Sequence, residues 1–324
     1  MYKILISDKF AQEGLDLLDT YQDVSYDMIT DLSKEELIDT IPNYDALIVR
    51  SGTRPDADVI AAASNLKVIG RAGVGVDNID ISAATAHGIM VMNTPDANSV
   101  ATAEQTLALM LAISRHTVAA HNSLAAGGWE RSAFTGTELH KKTLGVIGFG
   151  RIGRLVTQRA QAFGMNVITY DPFVAAGIAK EYGVQRVSLD DLYAKSDYIT
   201  LHTVITKDTA QMINKDSLAK MKDGVIIINV ARGKLVNEAD LAEALQSGKV
   251  GAAAIDVYNV EPPENSPLIN LPNVIHTPHL GASTAEAQLN VSTQMVEQVV
   301  DALRGVAYRN VINDDLVKNI DPSL

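Results

Sequence analysis

Short apolar runs alternate with helical stretches along most of this chain. One run is Val225-Ile226-Ile227-Ile228 within 224–230, and we expect further strands at 3–8, 46–51, 67–73, 89–93, 143–148, 166–170, 197–202, 252–257 and 274–278. Between the early strands, Ser33 and Glu36 have capping-box spacing at the start of a predicted helix over 33–41. Apolar strands that alternate with helices are typical of parallel sheets covered on both faces. The pattern therefore predicts an α/β fold.

Two longer helical patterns indicate how the chain is divided. Residues 99–127 are rich in Ala and Leu and end at a Gly-Gly pair, and residues 283–305 form a second helical pattern. We expect the first to be a long helix that bridges two domains and the second to return to the first domain. The prediction is two Rossmann-like or flavodoxin-like domains with parallel sheets. A nucleotide-binding domain, 99–285, is inserted into a discontinuous substrate-binding (catalytic) domain, 1–98 plus 286–324.

Charge and cysteine content exclude several classes of function. The formal net charge of -12 provides no basic field for nucleic acid or an anionic membrane. The chain has no cysteine, which excludes disulfides, thiolate catalysis and cysteine-ligated metals, and we expect no metal site. The first ten residues lack a signal-peptide core, and no apolar run reaches the about 18 residues of a membrane span. We expect a cytoplasmic protein with no nucleic-acid or membrane partner.

A glycine-rich turn lies between a predicted strand and a predicted helix. Its glycines have G-x-G-x-x-G spacing and are Gly148, Gly150 and Gly153. In this context they allow a tight turn, close approach of a pyrophosphate and close helix–strand packing. Asp171 follows the next strand, where a carboxylate can accept from the ribose hydroxyls. Residues 172–177 contain no Arg or Lys to bind a 2′-phosphate, so NAD is favoured over NADP as the cofactor.

Three polar residues follow three later strands. Arg232, Glu261 and His279 come after the runs at 224–230, 252–257 and 274–278, and the carboxyl ends of such strands form ligand sites. Histidine can take the hydroxyl proton of an alcohol, glutamate can fix the imidazole, and arginine can grip a carboxylate. Together they indicate oxidation of a 2-hydroxy acid. Taken singly, each has a plainer interpretation, a turn histidine or a surface ion pair, and it is their joint occurrence that favours catalysis.

Several segments carry a family pattern. "GFGRIG", "NVARG", "DVYNVEPPE" and "TPHLGAST", in this order and spacing, resemble the NAD-dependent D-isomer-specific 2-hydroxyacid dehydrogenases. The resemblance implies that Arg232 orients the substrate, that His279 is the acid–base and that Glu261 is its partner. It implies a set of cofactor contacts beyond the three glycines and Asp171. These are Arg151 and Ile152 at the pyrophosphate, with Thr203, Ala231, Asp256 and Gly281 elsewhere in the cofactor site.

Within that family, four segments resemble members that act on D-3-phosphoglycerate: "LIVRSGT" (47–53), "GRAGVGVDNID" (70–80), "NTPDANS" (93–99) and "GGWERSAFTGTEL" (127–139). The resemblance implies oxidation of D-3-phosphoglycerate to 3-phosphohydroxypyruvate, and the reverse, in serine biosynthesis. Val74 and Gly75 would bind the substrate carboxylate, and Arg50 and Arg131 its phosphate. The alternative for the two arginines is ordinary surface ion pairs.

The chain departs from the family pattern at two points, and two alternative functions remain. Val204 stands where the family usually has proline, and the end at Leu324 leads us to expect no C-terminal regulatory domain. One rival is a dehydrogenase of the same family for glyoxylate, hydroxypyruvate or another small 2-oxo acid. The other is an NAD-sensing, corepressor-like binding protein. The apolar surface of 99–127 also leads us to expect a homodimer or homotetramer.

Overall fold

The computed structural model describes residues 1–320 and forms two compact units. The terminal unit combines Met1–Asn98 with the segment from Ser283 onward, and the central unit is Ser99–Ala282. Each unit contains one parallel sheet covered by helices, so the predicted α/β fold with parallel sheets is confirmed. Across residues 1–320, no helix combines the length and the apolar character needed to cross a membrane.

The elements follow one another as strand and helix in both units. Strands β1–β12 are Tyr2–Ile6, Val24–Met28, Ala46–Val49, Val68–Arg71, Met90–Asn93, Thr143–Ile147, Asn166–Tyr170, Gln185–Arg186, Tyr198–Leu201, Val225–Asn229, Val250–Ile255 and Val274–His276. Helices α1–α13 are Gln12–Asp19, Lys34–Thr40, Ala57–Ala62, Ile81–Ala86, Ser99–Ser114, Thr117–Ala125, Arg151–Ala162, Ala176–Glu181, Leu189–Lys195, Lys215–Lys220, Glu238–Ser247, Ala285–Arg304 and Asp315–Ile320. Short 3₁₀ helices span Ile41–Asn43, Arg131–Phe134 and Gly233–Leu235.

The terminal unit has a five-stranded sheet in the order β2-β1-β3-β4-β5, the flavodoxin-like order. Helix α12 packs on one face of this sheet, where Met295 and Val299 are fully buried. Gly70 on β4 permits this close approach, because a Cβ there would overlap the Met295 side chain. At α2, Ser33 and Glu36 form the predicted capping box in full.

The central unit has a seven-stranded sheet in the order β12-β11-β10-β9-β6-β7-β8. Counted from β6, the first six strands of this unit have the doubly wound order 3-2-1-4-5-6, which reverses direction between β6 and β9. The apolar strand β10 lies inside the sheet, paired with β9 on one side and β11 on the other. The backbone of the run Val225–Ile228 is therefore hydrogen-bonded on both sides, and all of its side chains except the partly exposed Ile226 are buried.

The long helix predicted over 99–127 is interrupted, and both of its parts lie in the central unit. Helix α5 ends at Ser114, His116 has a left-handed backbone with φ of 52°, and α6 begins at Thr117. The Ser114 carbonyl accepts the N–H of Thr137 at 2.8 Å. A returning segment thus takes the carbonyl that a continuous helix would have used, and the prediction of one bridging helix is wrong.

Candidate active site

In the turn between β6 and α7, Gly148 and Gly153 each have a separate physical reason to be glycine, and Gly150 borders open space. Gly148 has φ of 92°, and a Cβ there would collide with the carbonyl of His202. A Cβ on Gly153 would overlap the carbonyl of Gly148, so this glycine allows α7 to pack against the turn. Gly150 has open space around its Cβ position. The turn is therefore tight on the protein side and open at the start of α7, as a site for a pyrophosphate requires.

Asp171, at the end of β7, holds the glycine turn in place. One carboxylate oxygen accepts the N–H of Phe149 at 2.8 Å, and the other accepts those of Phe173 and Val174 at 2.9 and 3.2 Å. The side chain thus joins the turn after β6 to the loop after β7. This structural role adds to the ribose contact predicted from the sequence, and no sequence pattern had indicated it.

The ends of β10, β11 and β12 lie side by side. Asn229, Ile255 and His276 are register neighbours across the three strands. The segments that leave these ends carry Arg232, Glu261 and His279. The adjacency that the sequence left as an inference is therefore present in the sheet.

Asn229 shapes the turn that carries Arg232. Its side-chain oxygen accepts the N–H of Ala231 at 3.0 Å, and its side-chain nitrogen donates to the carbonyl of Arg232 at 2.9 Å. The Arg232 guanidinium donates to the Ala231 carbonyl at 2.6 Å. Asn229 itself is buried, so the side chain that holds this turn is fixed by its surroundings.

Glu261 and His279 form a hydrogen-bonded pair. Nδ1 of His279 lies 2.8 Å from one carboxylate oxygen of Glu261, and the other oxygen accepts the N–H of Tyr258 at 3.0 Å. Burial alone would raise the pKa of Glu261, but these hydrogen bonds and the charges of His279 and Arg232 outweigh it and lower that pKa. Glu261 is therefore a carboxylate at neutral pH. The bond at Nδ1 leaves Nε2 of the partly exposed His279 ring for a substrate.

Asp256 fixes the backbone around His279. Its carboxylate is fully buried and accepts from Thr277 Oγ1 at 2.5 Å and from the N–H groups of Leu280 and Gly281 at 2.7 and 2.9 Å. Its carbonyl accepts the N–H of His279 at 2.9 Å. His279 has φ of 55°, a left-handed backbone that a non-glycine residue holds only when its surroundings fix it.

The resemblance placed Asp256 at the nicotinamide end of the cofactor site. In this structure its side chain is fully buried and holds the segment 277–281. A direct contact between Asp256 and NAD stays a prediction.

A second histidine, His202, follows β9 at this edge of the sheet. Its Nε2 lies 2.9 Å from Thr200 Oγ1. Burial lowers the pKa of His202 to about 3, so its ring is neutral at physiological pH. Of the two, only His279 combines exposure with a carboxylate partner.

Comparison with known proteins assigns the central unit to a family. Residues 107–281 match the model described as D-isomer specific 2-hydroxyacid dehydrogenase, NAD binding domain. This span is more than half of the chain and includes the glycine turn and the loops that carry Arg232, Glu261 and His279. The chain belongs to the D-isomer specific 2-hydroxyacid dehydrogenase family. The predicted family and the predicted cofactor, NAD, are confirmed.

Individual relatives agree with this family. The chain is 49% identical over 322 residues to the D-3-phosphoglycerate dehydrogenase of Archaeoglobus fulgidus, a match covering 99% of this chain and 60% of the relative. It thus spans about three fifths of the length of the curated relatives it matches. A glyoxylate reductase from Paecilomyes thermophila has a TM-score of 0.88 and 32% identity, covering 97% of this chain and 99% of that one. A D-lactate dehydrogenase from Aquifex aeolicus, complexed with NAD and lactic acid, has a TM-score of 0.87 and 29% identity, covering 95% and 98%.

The other cofactor residues expected from the family resemblance lie near the carboxyl ends of the central strands. Arg151 is exposed at the start of α7, whereas Gly281 is buried against Val230. Three more are partly exposed: Ile152, Thr203 and Ala231. Their contacts with NAD stay predictions.

The residues expected to bind substrate are divided between the units. In the terminal unit, Arg50 is partly buried, and its backbone N–H donates to the carboxylate of Asp8 at 2.5 Å. Burial lowers the pKa of Arg50, and the charge of Asp8 opposes this shift. Val74 and Gly75 follow β4 and are partly exposed, with the Val74 carbonyl accepting from Asn93 at 2.6 Å. In the central unit, Arg131 is exposed at the start of a 3₁₀ helix.

Gly233 is a further site residue that the sequence analysis did not single out. It directly follows Arg232, and a Cβ there would overlap the backbone of Tyr258 and Asn259. The Arg232 turn and the Glu261 loop are therefore packed backbone against backbone. The glycine in "NVARG" was visible in the sequence, but only the fold shows what it touches.

We expect Gly233→Ala to destabilise the central unit by about 1–3 kcal/mol, because the added methyl group must displace the Tyr258 backbone. The measurement is chemical denaturation. Gly177→Ala is the matched control: this glycine lies in α8 with open space around its Cβ position, so alanine should be neutral or stabilise by up to about 1 kcal/mol. Equal effects of the two substitutions would contradict the packing described for Gly233.

Proposed function

We propose that this protein is an NAD-dependent D-2-hydroxyacid dehydrogenase that oxidises D-3-phosphoglycerate to 3-phosphohydroxypyruvate and catalyses the reverse reaction. The observation that carries the proposal is the His279–Glu261 pair beside Arg232, on the same sheet edge as the glycine turn. The 49% identity to a D-3-phosphoglycerate dehydrogenase supports the choice of substrate. Placing the reaction in serine biosynthesis is part of the same proposal.

In the proposed reaction the two hydrogens of the alcohol, one on C2 and one on the hydroxyl oxygen, go to different acceptors. Bound NAD supplies the acceptor for the hydride that leaves C2 of the substrate. Nε2 of His279 takes the hydroxyl proton, and the Glu261 carboxylate stabilises the imidazolium that results. The Arg232 guanidinium holds the substrate carboxylate, which fixes C2 and its hydroxyl in position. In the reverse direction the imidazolium returns the proton to the oxo group.

The proposed cofactor site follows the carboxyl edge of the central sheet. The glycine turn, with Arg151 and Ile152, binds the pyrophosphate, where Gly150 leaves open space. Asp171 accepts from the ribose in addition to its three backbone donors. Thr203, Ala231 and Gly281 contribute near the nicotinamide. On this assignment 99–285 is the NAD-binding domain, and 1–98 plus 286–324 is the substrate-binding domain.

The proposed substrate contacts outside the trio are Val74 and Gly75 for the carboxylate and Arg50 and Arg131 for the phosphate. A substrate with both a carboxylate and a phosphate group needs local cations on a chain of net charge -12. Within residues 1–320 neither guanidinium lies within ion-pair distance of a carboxylate, although the charge of Asp8 acts on Arg50. This supports a phosphate contact for Arg131 more directly than for Arg50.

The glyoxylate or hydroxypyruvate dehydrogenase stays the main rival, since a glyoxylate reductase has the same fold at 32% identity. The NAD-sensing binding protein is the remote one. A cytoplasmic location is proposed together with the metabolic role.

We also propose a homodimer or homotetramer, supported by an exposed apolar surface on the central unit. Helix α6 has no buried residue, and Val118 and Leu124 on it are 45% and 58% exposed. Trp129, in the segment that follows, is 77% exposed. We infer that these three exposed apolar residues, close together along the chain, belong to a protein–protein interface.

If this surface joins two subunits, Leu124→Glu should convert the assembly to monomers, because a buried carboxylate without a partner is costly. Sedimentation velocity at several concentrations measures the mass. Phe163→Glu, at an exposed apolar residue after α7, is the control and should leave the mass unchanged. A wild-type monomer at all concentrations would refute the proposed assembly.

We expect His279→Asn to lower the rate of NADH-dependent reduction of 3-phosphohydroxypyruvate by a factor of about 10²–10⁴, because asparagine cannot donate the proton. Binding of NADH, followed by its fluorescence, should be unchanged. His87→Asn, at an exposed position in the terminal unit, should have wild-type activity. Loss of NADH binding in place of turnover would remove His279 from the catalytic assignment.

The substrate is tested by comparing 3-phosphohydroxypyruvate with hydroxypyruvate and glyoxylate. Wild-type protein should reduce the phosphorylated acid with the highest kcat/KM. Arg131→Glu should raise KM for that acid by about tenfold or more, through loss of a charged hydrogen bond, and leave KM for hydroxypyruvate unchanged. Lys141→Glu, exposed before β6, is the control. An unchanged KM in Arg131→Glu would favour the rival dehydrogenase, and no turnover of any acid would favour the sensor.

A further inference from the structure

The loop that carries Glu261 is held by a second carboxylate outside the trio. Glu238 is the first residue of α11 and is 8% exposed. One of its carboxylate oxygens accepts the N–H of Asn259 at 2.7 Å. The side chain of Asn259 in turn donates to the carbonyl of Val236 at 3.4 Å. The start of α11 is thus bonded directly to the segment that leads to Glu261.

Two successive N–H groups of this segment bind two different carboxylates. Tyr258 donates to Glu261, and Asn259 donates to Glu238. The backbone of the same two residues packs directly on Gly233. The segment is therefore in steric contact with Gly233 and hydrogen-bonded to Glu238. A shift of this backbone would move Glu261 away from Nδ1 of His279.

A role for Glu238 within α11 alone does not explain its burial. The N-terminus of α11 is already capped by Asn237, whose side chain accepts the N–H of Asp240 at 3.1 Å. Asp240 places a further carboxylate in the first turn, where negative charge stabilises the helix dipole. An acid serving only the dipole could lie in solvent. A buried carboxylate is costly unless its hydrogen bonds replace those to water. The hydrogen-bond donor to Glu238 is the N–H of Asn259, in the Glu261 loop.

We propose that Glu238 is a positioning residue for the proposed dehydrogenase, acting through Asn259 and Tyr258 to hold Glu261 against His279. This inference rests on the proposed function, because it assigns Glu238 to the same reaction. Glu238 touches neither His279 nor any reacting atom. It fixes the carboxylate that orients the imidazole.

The consequence is a dependence of activity on pH. Among the described residues, the charge of Arg232 acts on Glu261, and the charges of Asp256 and Glu238 act on the neighbouring Tyr258. When Glu238 no longer holds Asn259, Glu261 moves from the imidazole, and the imidazolium loses the negative charge that stabilises it. Reduction of the oxo acid requires the imidazolium. In a variant that lacks the Glu238 contact, the decline of reductase activity with rising pH should therefore occur at lower pH than in the wild-type protein.

The test is the pH profile of kcat/KM for NADH-dependent reduction in four variants. Glu238→Ala removes the acceptor, and Glu238→Asp keeps the charge at the helix start but shortens its reach. Both should lower kcat/KM by about tenfold and move the alkaline decline down by about one pH unit. Glu238→Gln keeps an oxygen for Asn259 and should restore most of the wild-type profile. Glu243→Ala, an exposed carboxylate on the same helix, should leave it unchanged.

NADH affinity and thermal stability are measured on the same samples. A purely structural role would lower stability without moving the pH profile. Glu238→Asp retains the helix charge, so it remains informative where Glu238→Ala does not fold. A wild-type profile in Glu238→Asp, or a profile in Glu238→Gln displaced as far as in Glu238→Ala, would overturn the inference. Absence of turnover by the wild-type protein on all 2-oxo acids would instead refute the proposed function.

Discussion

The hydrogen bond between His279 Nδ1 and Glu261 is the interaction on which the site depends. The two residues are 18 positions apart, and they meet because β11 and β12 are parallel neighbours that end at the same edge. Parallel strands deliver their following segments to one side of a sheet, so the third neighbour, β10, brings Arg232 to the same place. The fold thus collects a base, its carboxylate and a guanidinium without requiring them to be close in sequence.

The conformation of these loops is maintained by three carboxylates that take no direct part in the proposed reaction, of which Asp256 and Glu238 are buried. Asp256 holds the left-handed backbone at His279, Asp171 holds the glycine turn, and Glu238 binds the segment before Glu261. Each accepts backbone N–H groups, which are donors that a loop cannot satisfy within itself. Acidic residues in this unit therefore fix the geometry of backbone segments, and the imidazole and the guanidinium are left to meet the substrate.

The sequence was sufficient to predict elements that depend on short-range patterns alone. Apolar runs marked most strands, and the glycine spacing marked the turn before α7. It failed where tertiary contacts decide: β2 is a partly exposed edge strand without an apolar run, and the helix over 99–127 is interrupted because Thr137 binds the Ser114 carbonyl. The burial of Asp256 and the contact of Gly233 with Tyr258 depend on strand order, which spacing along the chain does not specify.

A crystal structure of the protein with NADH and a non-reactive 2-oxo acid analogue tests the central claim most directly. We expect Nε2 of His279 within about 2.6–3.2 Å of the 2-oxygen of the analogue, with the Nδ1–Glu261 bond retained and Arg232 hydrogen-bonded to the carboxylate of the analogue. An imidazole remote from the nicotinamide while the analogue occupies its site would contradict it.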